Sequence, residues 1–167
     1  MTTRFATRPA AAADAEAIAA IYNEGIADRI ATFETEPRLP GEVARWMGGR
    51  HPVVVAEADG AVAAFAATFP YRPRRCYDGV AEFSVYAGRA WRGKGAGRAA
   101  MAALIDEAAK AGIWKLVSRV FPENRASLAM LGRLGFREVG TYRSHARLDG
   151  RWRDVVIVER LIGENLG

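Results

Sequence analysis

The sequence predicts an α/β (α+β) fold, a central mixed and mostly antiparallel twisted sheet of about six to seven strands flanked by about four helices. Three observations predict it. Two Asp-Gly pairs, Asp59-Gly60 and Asp149-Gly150, each stand between runs of strand character and mark antiparallel hairpins. A strand-like run ending near Ala87 feeds a glycine-rich loop and a well-patterned helix, after which a strand resumes at Lys115, the layout of a parallel crossover. The chain has 167 residues, half of them apolar, which suits a core built around a ligand cleft. No linker, repeat or low-complexity block divides residues 1–167, so one domain is expected.

Each element has its own signal. Phe5 to Pro9 reads as a short strand, and Asp14 offers an N-cap for a helix whose Ile18, Ile21, Tyr22 and Ile26 recur at helical spacing. Leu39 to Met47 is expected as a second helix. Val53 to Ala56 and Ala61 to Phe69 flank the turn Glu57-Ala58-Asp59-Gly60, and Val80 to Tyr86 is the strand that enters the glycine loop. From Gly97 to Ala111, Met101, Leu104, Ile105 and Ala108 form one apolar stripe. Asp106 and Lys110 are spaced to pair across a turn there, and Gly112 supplies the stop. Lys115 to Phe121 is the next strand, Asn124 to Leu134 a helix ended by Gly135, and Phe136 to Arg147 with Val155 to Leu161 a final strand pair.

Charge and composition narrow the function. The formal charge of +5 comes almost entirely from arginine, because lysine occurs only at Lys94, Lys110 and Lys115. Basic residues gather at Arg72, Arg74, Arg75 and around 89–98, with no basic tail or aromatic-interleaved basic strand. That arrangement suits an acidic substrate or a phosphate-bearing cofactor rather than nucleic acid. No apolar run approaches the roughly 18 residues of a membrane span, and Met1 to Pro9 lacks the apolar core of a leader, so a cytoplasmic protein without a membrane partner is expected. Cys76 is the sole cysteine, which excludes an intrachain disulfide and a cysteine zinc cluster; no metal is expected.

The densest signal is Arg92-Gly93-Lys94-Gly95-Ala96-Gly97 followed by Arg98. Three glycines within five residues let the backbone bend freely and let an anion come close to its amides. The helix that follows adds unpaired N-terminal N–H groups and the positive end of its dipole. With the cations of Arg92, Lys94 and Arg98, the expected ligand is a diphosphate. Gly88 to Lys94 has the spacing of a nucleotide triphosphatase loop, but Gly95 stands where a magnesium-binding Ser or Thr is needed. A dinucleotide fingerprint fails too, because Arg98 occupies its third glycine position.

What remains, Arg-x-x-Gly-x-Gly at Arg92, Gly95 and Gly97, resembles the acyl-CoA loop of the GCN5-related N-acetyltransferases (GNAT). Asn124-Arg125-Ala126-Ser127 and Gly135-Phe136 repeat that superfamily's layout downstream. Thr32-Phe33-Glu34, Tyr71-Arg72-Pro73-Arg74, Glu82-Phe83-Ser84-Val85-Tyr86 and Asp149-Gly150-Arg151-Trp152-Arg153-Asp154 resemble the phosphinothricin and arsinothricin N-acetyltransferases in particular. Ser118 to Glu123 and the Val158-Glu159-Arg160-Leu161 ending look most like the arsinothricin branch.

The resemblance implies the GNAT fold, with a parallel strand pair splayed at an acetyl-CoA site, and direct attack of a primary amine on acetyl-CoA as co-substrate. A carboxylate shielded at the acceptor end of the cleft must take the amine's proton, directly or through water. Glu82 lies at the matching position. Backbone groups of Val85, Tyr86 and Ala87 are implied to pair with the pantetheine, one amide polarising the thioester carbonyl, while Gly93, Lys94, Gly95, Ala96, Gly97 and Arg98 hold the diphosphate beside Arg92. Asn124 reads as a helix N-cap, and the resemblance adds contact with the pantetheine arm, together with Ser127. Arg72 and Arg74 flank Pro73 in a segment too charged for a core strand; alternate guanidiniums suit the two anionic ends of a glutamate-like acceptor, which is the use the family makes of them. Phe33 is expected to wall the acceptor pocket. One departure stands out: many relatives carry a Tyr or His seven residues after the helix-opening Asn, where this chain has Leu131. Either the thiolate leaves without that acid, or Tyr142 or His145 reaches in from the next strand. Relatives are commonly dimers. The leading expectation is acetylation of a small acidic amino-acid analogue, as detoxification; the alternatives are another amine acceptor (polyamine, aminoglycoside or protein N-terminus) and a non-catalytic acyl-CoA-binding module.

Overall fold

In the computed structural model, which describes residues 4–167, both Asp-Gly pairs take the left-handed backbone that a two-residue hairpin demands. Asp59 and Gly60 have φ of 53° and 76°, Asp149 and Gly150 50° and 77°. The first three residues, part of the segment read as lacking a leader, lie outside the described residues. The elements are β1 (Ala6–Pro9), α1 (Ala15–Asp28), α2 (Pro40–Ala44), β2 (Val53–Ala58), β3 (Ala61–Pro70), β4 (Val80–Ala87), α3 (Ala96–Lys110), β5 (Lys115–Val120), α4 (Arg125–Arg133), β6 (Arg137–Leu148) and β7 (Arg151–Leu161). The seven strands form one sheet in the order β1-β2-β3-β4-β5-β7-β6. Every neighbouring pair is antiparallel except β4 and β5, which α3 joins as a parallel crossover.

Helices cover both faces, so β2 and β3 bury both of theirs along most of their length and read as nearly unbroken apolar runs. In β2, Val53 and Val55 join Ile18, Ile21 and Phe65 on the α1 side, while Val54 and Ala56 join Met101 and Leu104 on the α3 side. Gly25 brings α1 against the sheet: a Cβ there would fall 2.7 Å from the Tyr86 ring.

Three local expectations change. Asp14 precedes α1 but does not cap it with its side chain, because its backbone is already helical (φ −85°, ψ −9°) and the carboxylate turns away. It accepts from Arg8 Nη1 at 2.7 Å, Arg8 Nη2 at 2.9 Å and the Ala11 N–H at 2.8 Å. The helix expected from Leu39 to Met47 closes after Ala44, since Val43 is its one fully buried anchor; Trp46 and Met47 pack from the turn that follows. Lys110 pairs with Glu107 at 3.1 Å rather than with Asp106.

The pairing of β4 with β5 begins at Gly79, whose carbonyl accepts the N–H of Trp114 at 2.8 Å and of Lys115 at 3.3 Å. The Trp114 ring fills the space that a side chain at Gly79 would need; a Cβ would sit 1.9 Å from it. Pairing runs through Val80/Lys115, Ala81/Leu116 and Glu82/Val117 and then stops, although β4 continues to Ala87 and β5 to Val120. Ser118 Oγ donates to the Phe83 carbonyl at 2.9 Å, satisfying the first group the separation leaves behind. Beyond it the sheet is open.

Candidate active site

The pleat of β4 decides what faces that opening. Gly88 N–H bonds the Ala63 carbonyl at 2.8 Å, and the β3 register runs without a shift from there, so the even-numbered residues of β4 turn their main chain toward β3. Val85 and Ala87 therefore present N–H and C=O to the gap. Tyr86 does not, against the expectation for its backbone. Its side chain instead packs under the site, 4.9 Å from Tyr22 and stacked on Phe65 at 5.6 Å. Burial pushes the Tyr86 phenol far above its ordinary range, so the hydroxyl stays protonated.

The gap opens into a cavity of about 460 Å³. Of the residues named from sequence, Phe33, Glu82, Val85, Tyr86, Asn124 and Ser127 line it. Phe33 stands edge-on to Phe121 at 5.0 Å. Asn124 is the N-cap of α4, its Oδ1 accepting the Ser127 N–H at 3.3 Å, so the two polar residues are tied together at the cavity wall. Leu131, 1% exposed, closes the same wall with an apolar surface. A second cavity of about 310 Å³ is lined by Tyr71, Arg72, Tyr142, His145 and others. Glu82, Ser118 and Arg119 belong to both linings. Tyr142 and His145, 5.0 Å apart ring to ring, thus line the second cavity and not the wall that holds Leu131.

Glu82 is not enclosed as expected of a shielded base. Its side chain is 34% exposed and both its oxygens lie 3.3 Å from Arg119 Nη2. Arg72 borders the second cavity with its guanidinium 5.0 Å from the centre of the Tyr71 ring. Arg74 lines neither cavity; it is exposed, leading into the short turn Arg75–Tyr77.

At the glycine loop, Gly93 and Gly95 have φ of 73° and 92°, conformations that side chains resist, and α3 begins at Ala96. No amide from Gly93 to Arg98 donates to a described backbone carbonyl, so a row of N–H groups is available at a helix start. Gly93, Lys94, Gly95 and Arg98 are exposed, with the Lys94 ammonium 5.5 Å over the Trp91 ring. Arg92, expected as a cation beside the diphosphate, is already engaged within the protein. It bonds Asp28 at 2.7 Å, and Arg89 grips the same carboxylate at 2.8 Å. Arg89 and Arg92 together hold the Asp28 carboxyl down at about 2, so the loop's entry is fastened to the end of α1.

Sequence reasoning missed Arg119 and Ser118 as parts of the site. Their signal was faint: adjacent polar residues that interrupt the apolar run of a buried strand. Among the described residues no cluster of three His, Cys, Asp or Glu forms a metal centre, and no helix is long and apolar enough to cross a membrane.

Residues 18–136 match the model of the acetyltransferase (GNAT) family. The chain is 31% identical over 167 residues to the phosphinothricin N-acetyltransferase of Streptomyces coelicolor, an alignment covering 95% of this chain and 97% of that one. It is 33% identical over 170 residues to the L-methionine sulfoximine/L-methionine sulfone acetyltransferase of Salmonella typhimurium, covering 99% and 96%. Among solved structures it resembles a GNAT-superfamily phosphinothricin acetyltransferase from Sinorhizobium meliloti in complex with acetyl-CoA, with a TM-score of 0.89, 31% identity and coverage of 98% and 90%.

Proposed function

The chain belongs to the acetyltransferase (GNAT) family, and from that premise we propose that it acetylates the α-amino group of a small acidic amino-acid analogue of the phosphinothricin, arsinothricin or methionine sulfoximine type. One observation carries the reading: Glu82 stands in the lining common to two cavities, one of which opens from the splayed β4–β5 pair.

Acetyl-CoA, when bound, supplies the acetyl group as a thioester. The chain's residues fit such a molecule. The free amides of Gly93 to Arg98 would hold its diphosphate, with Lys94 and Arg98 as exposed cations. The main chain of Val85 and Ala87 would bond the amides of its arm as a missing strand would, and one of these N–H groups would polarise the reacting carbonyl. Asn124 and Ser127 would flank the arm. Glu82 accepts a proton from the acceptor's ammonium, directly or through one water. Arg72 binds an anionic end of the acceptor, Phe33 walls its pocket, and Leu131 offers no proton to the departing sulfur. The whole chain acts as one N-acetyltransferase domain, in the cytoplasm, as a homodimer that confers resistance to its acceptor.

The test is thiol release from acetyl-CoA with phosphinothricin, arsinothricin, methionine sulfoximine, glutamate, spermidine, an aminoglycoside and a peptide N-terminus. Turnover concentrated on the acidic analogues is expected. A preference for spermidine, the aminoglycoside or the peptide overturns the acceptor class; no turnover with any amine, together with intact acetyl-CoA binding, favours a non-catalytic module.

A further inference from the structure

The charges around the second cavity are not equally committed. Lys115 lies 3.0 Å from Glu159 Oε1, and Arg137 takes the other oxygen of Glu159 at 2.6 Å, so both of these cations are already engaged by one carboxylate. Arg72 has no carboxylate partner among the described residues, and Arg74 is outside the lining. Arg119 is held only by Glu82 there, and Glu82 only by Arg119. That pair is loose. A single nitrogen is shared between both oxygens at 3.3 Å, longer than the usual charge-assisted bond, and the two side chains are 50% and 34% exposed. Solvent screens a pair of this kind, and a third charged group competes for it readily.

An α-amino acid carries a carboxylate and an ammonium on one carbon, so it can replace both members of such a pair at once. Building on the acceptor class argued above, we propose that the acceptor's α-carboxylate takes Arg119 from Glu82 and so releases Glu82 to receive the ammonium. Arg119, rather than Arg74, is then the second anion contact beside Arg72. Charge is conserved throughout: Arg119–Glu82 plus a zwitterion becomes Arg119–carboxylate plus Glu82–ammonium, and the proton moves within the second of these pairs. An amine without the carboxylate leaves Arg119 in place and meets a base that is still occupied. Arg119 is thus a contact residue for the acceptor and a positioning residue for Glu82, and selection for acids enters through turnover as well as through binding.

The experiment compares phosphinothricin with its decarboxylated counterpart, 3-aminopropyl(methyl)phosphinate, in the wild type, Arg119→Gln and Arg119→Lys. Arg133→Gln, an exposed arginine on α4 outside both cavities, serves as the control. Steady-state kinetics are paired with calorimetric binding of phosphinothricin without acetyl-CoA. For Arg119→Gln, the KM and Kd for phosphinothricin are expected to rise about tenfold to a hundredfold. The kcat for the decarboxylated amine is expected to rise, so the preference narrows from both sides. Lysine restores part of the binding, because an ammonium lacks the planar fork, and Arg133→Gln changes nothing. A merely structural role for Arg119 lowers both substrates together and keeps their ratio. That outcome, or wild-type phosphinothricin binding in Arg119→Gln, overturns the proposal while leaving the acceptor class standing. A wild type that neither binds nor acetylates acidic amino acids removes both.

Discussion

Glu82, proposed above as the general base, has in Arg119 an ionic neighbour that sequence alone did not reveal. Replacing it with glutamine keeps shape and hydrogen bonding but removes the proton acceptor, so Glu82→Gln is expected to bind acetyl-CoA normally while kcat falls roughly 10²-fold or more. Calorimetry and thiol release separate the two; near-normal turnover across pH 6–9 moves the role elsewhere. A second residue-scale prediction concerns Asp14, 9% exposed at its side chain. Its bonds from Arg8 hold the carboxyl below the ordinary value, burial opposes this, and the Ala11 N–H adds to it. A depressed folded value stabilises the fold fully above the unfolded pKa near 4 and loses that contribution as pH falls through the folded value. Asp14→Asn should therefore cost about 1–3 kcal/mol in urea unfolding at pH 7, with a gap that narrows toward pH 3. An equal gap at both pH values assigns the loss to something other than charge. Residue types were legible where the chemistry is local: a carboxylate before the loop, an aromatic at Phe33, an arginine at Arg72. They were not where a distant partner decides, as when Asp28 immobilises Arg92 or β5 brings Arg119 to Glu82.

Whole elements were most legible where one rule sufficed. The apolar stripe of α3 and its stop at Gly112, with φ of 80°, follow from periodicity and backbone conformation alone. The helix around Val43 was overextended because Trp46 and Met47 are apolar at suitable spacing yet pack from a turn. The glycine loop makes the element-scale prediction. Gly95 has a left-handed φ of 92° and stands directly before the free amides of α3, so Gly95→Glu imposes both backbone strain and a negative charge there. Acetyl-CoA affinity should fall sharply in calorimetry while far-UV circular dichroism keeps its shape. Undiminished affinity would place the diphosphate elsewhere.

At the scale of the molecule, the antiparallel hairpins were readable from two Asp-Gly turns, and the parallel crossover from the strand–helix–strand order. The position of β7 between β5 and β6 was not, since no local signal records which strand a returning hairpin joins. The place where β4 and β5 part left no local pattern either: the family resemblance alone implied a splayed pair, and in the structure the parting falls after Glu82/Val117, where the Ser118 hydroxyl takes the Phe83 carbonyl. That parting has a consequence in exchange with deuterated water. Along β4 the ladder to β3 holds the amide hydrogens of Ser84 and Tyr86, while those of Val85 and Ala87 border the fissure. Free protein should accordingly show an odd–even alternation in amide exchange along one strand in the middle of a sheet, fast at 85 and 87 and slow at 84 and 86. Acetyl-CoA should erase the alternation by slowing the odd positions alone, as if the molecule gained an eighth strand for as long as its substrate stays bound.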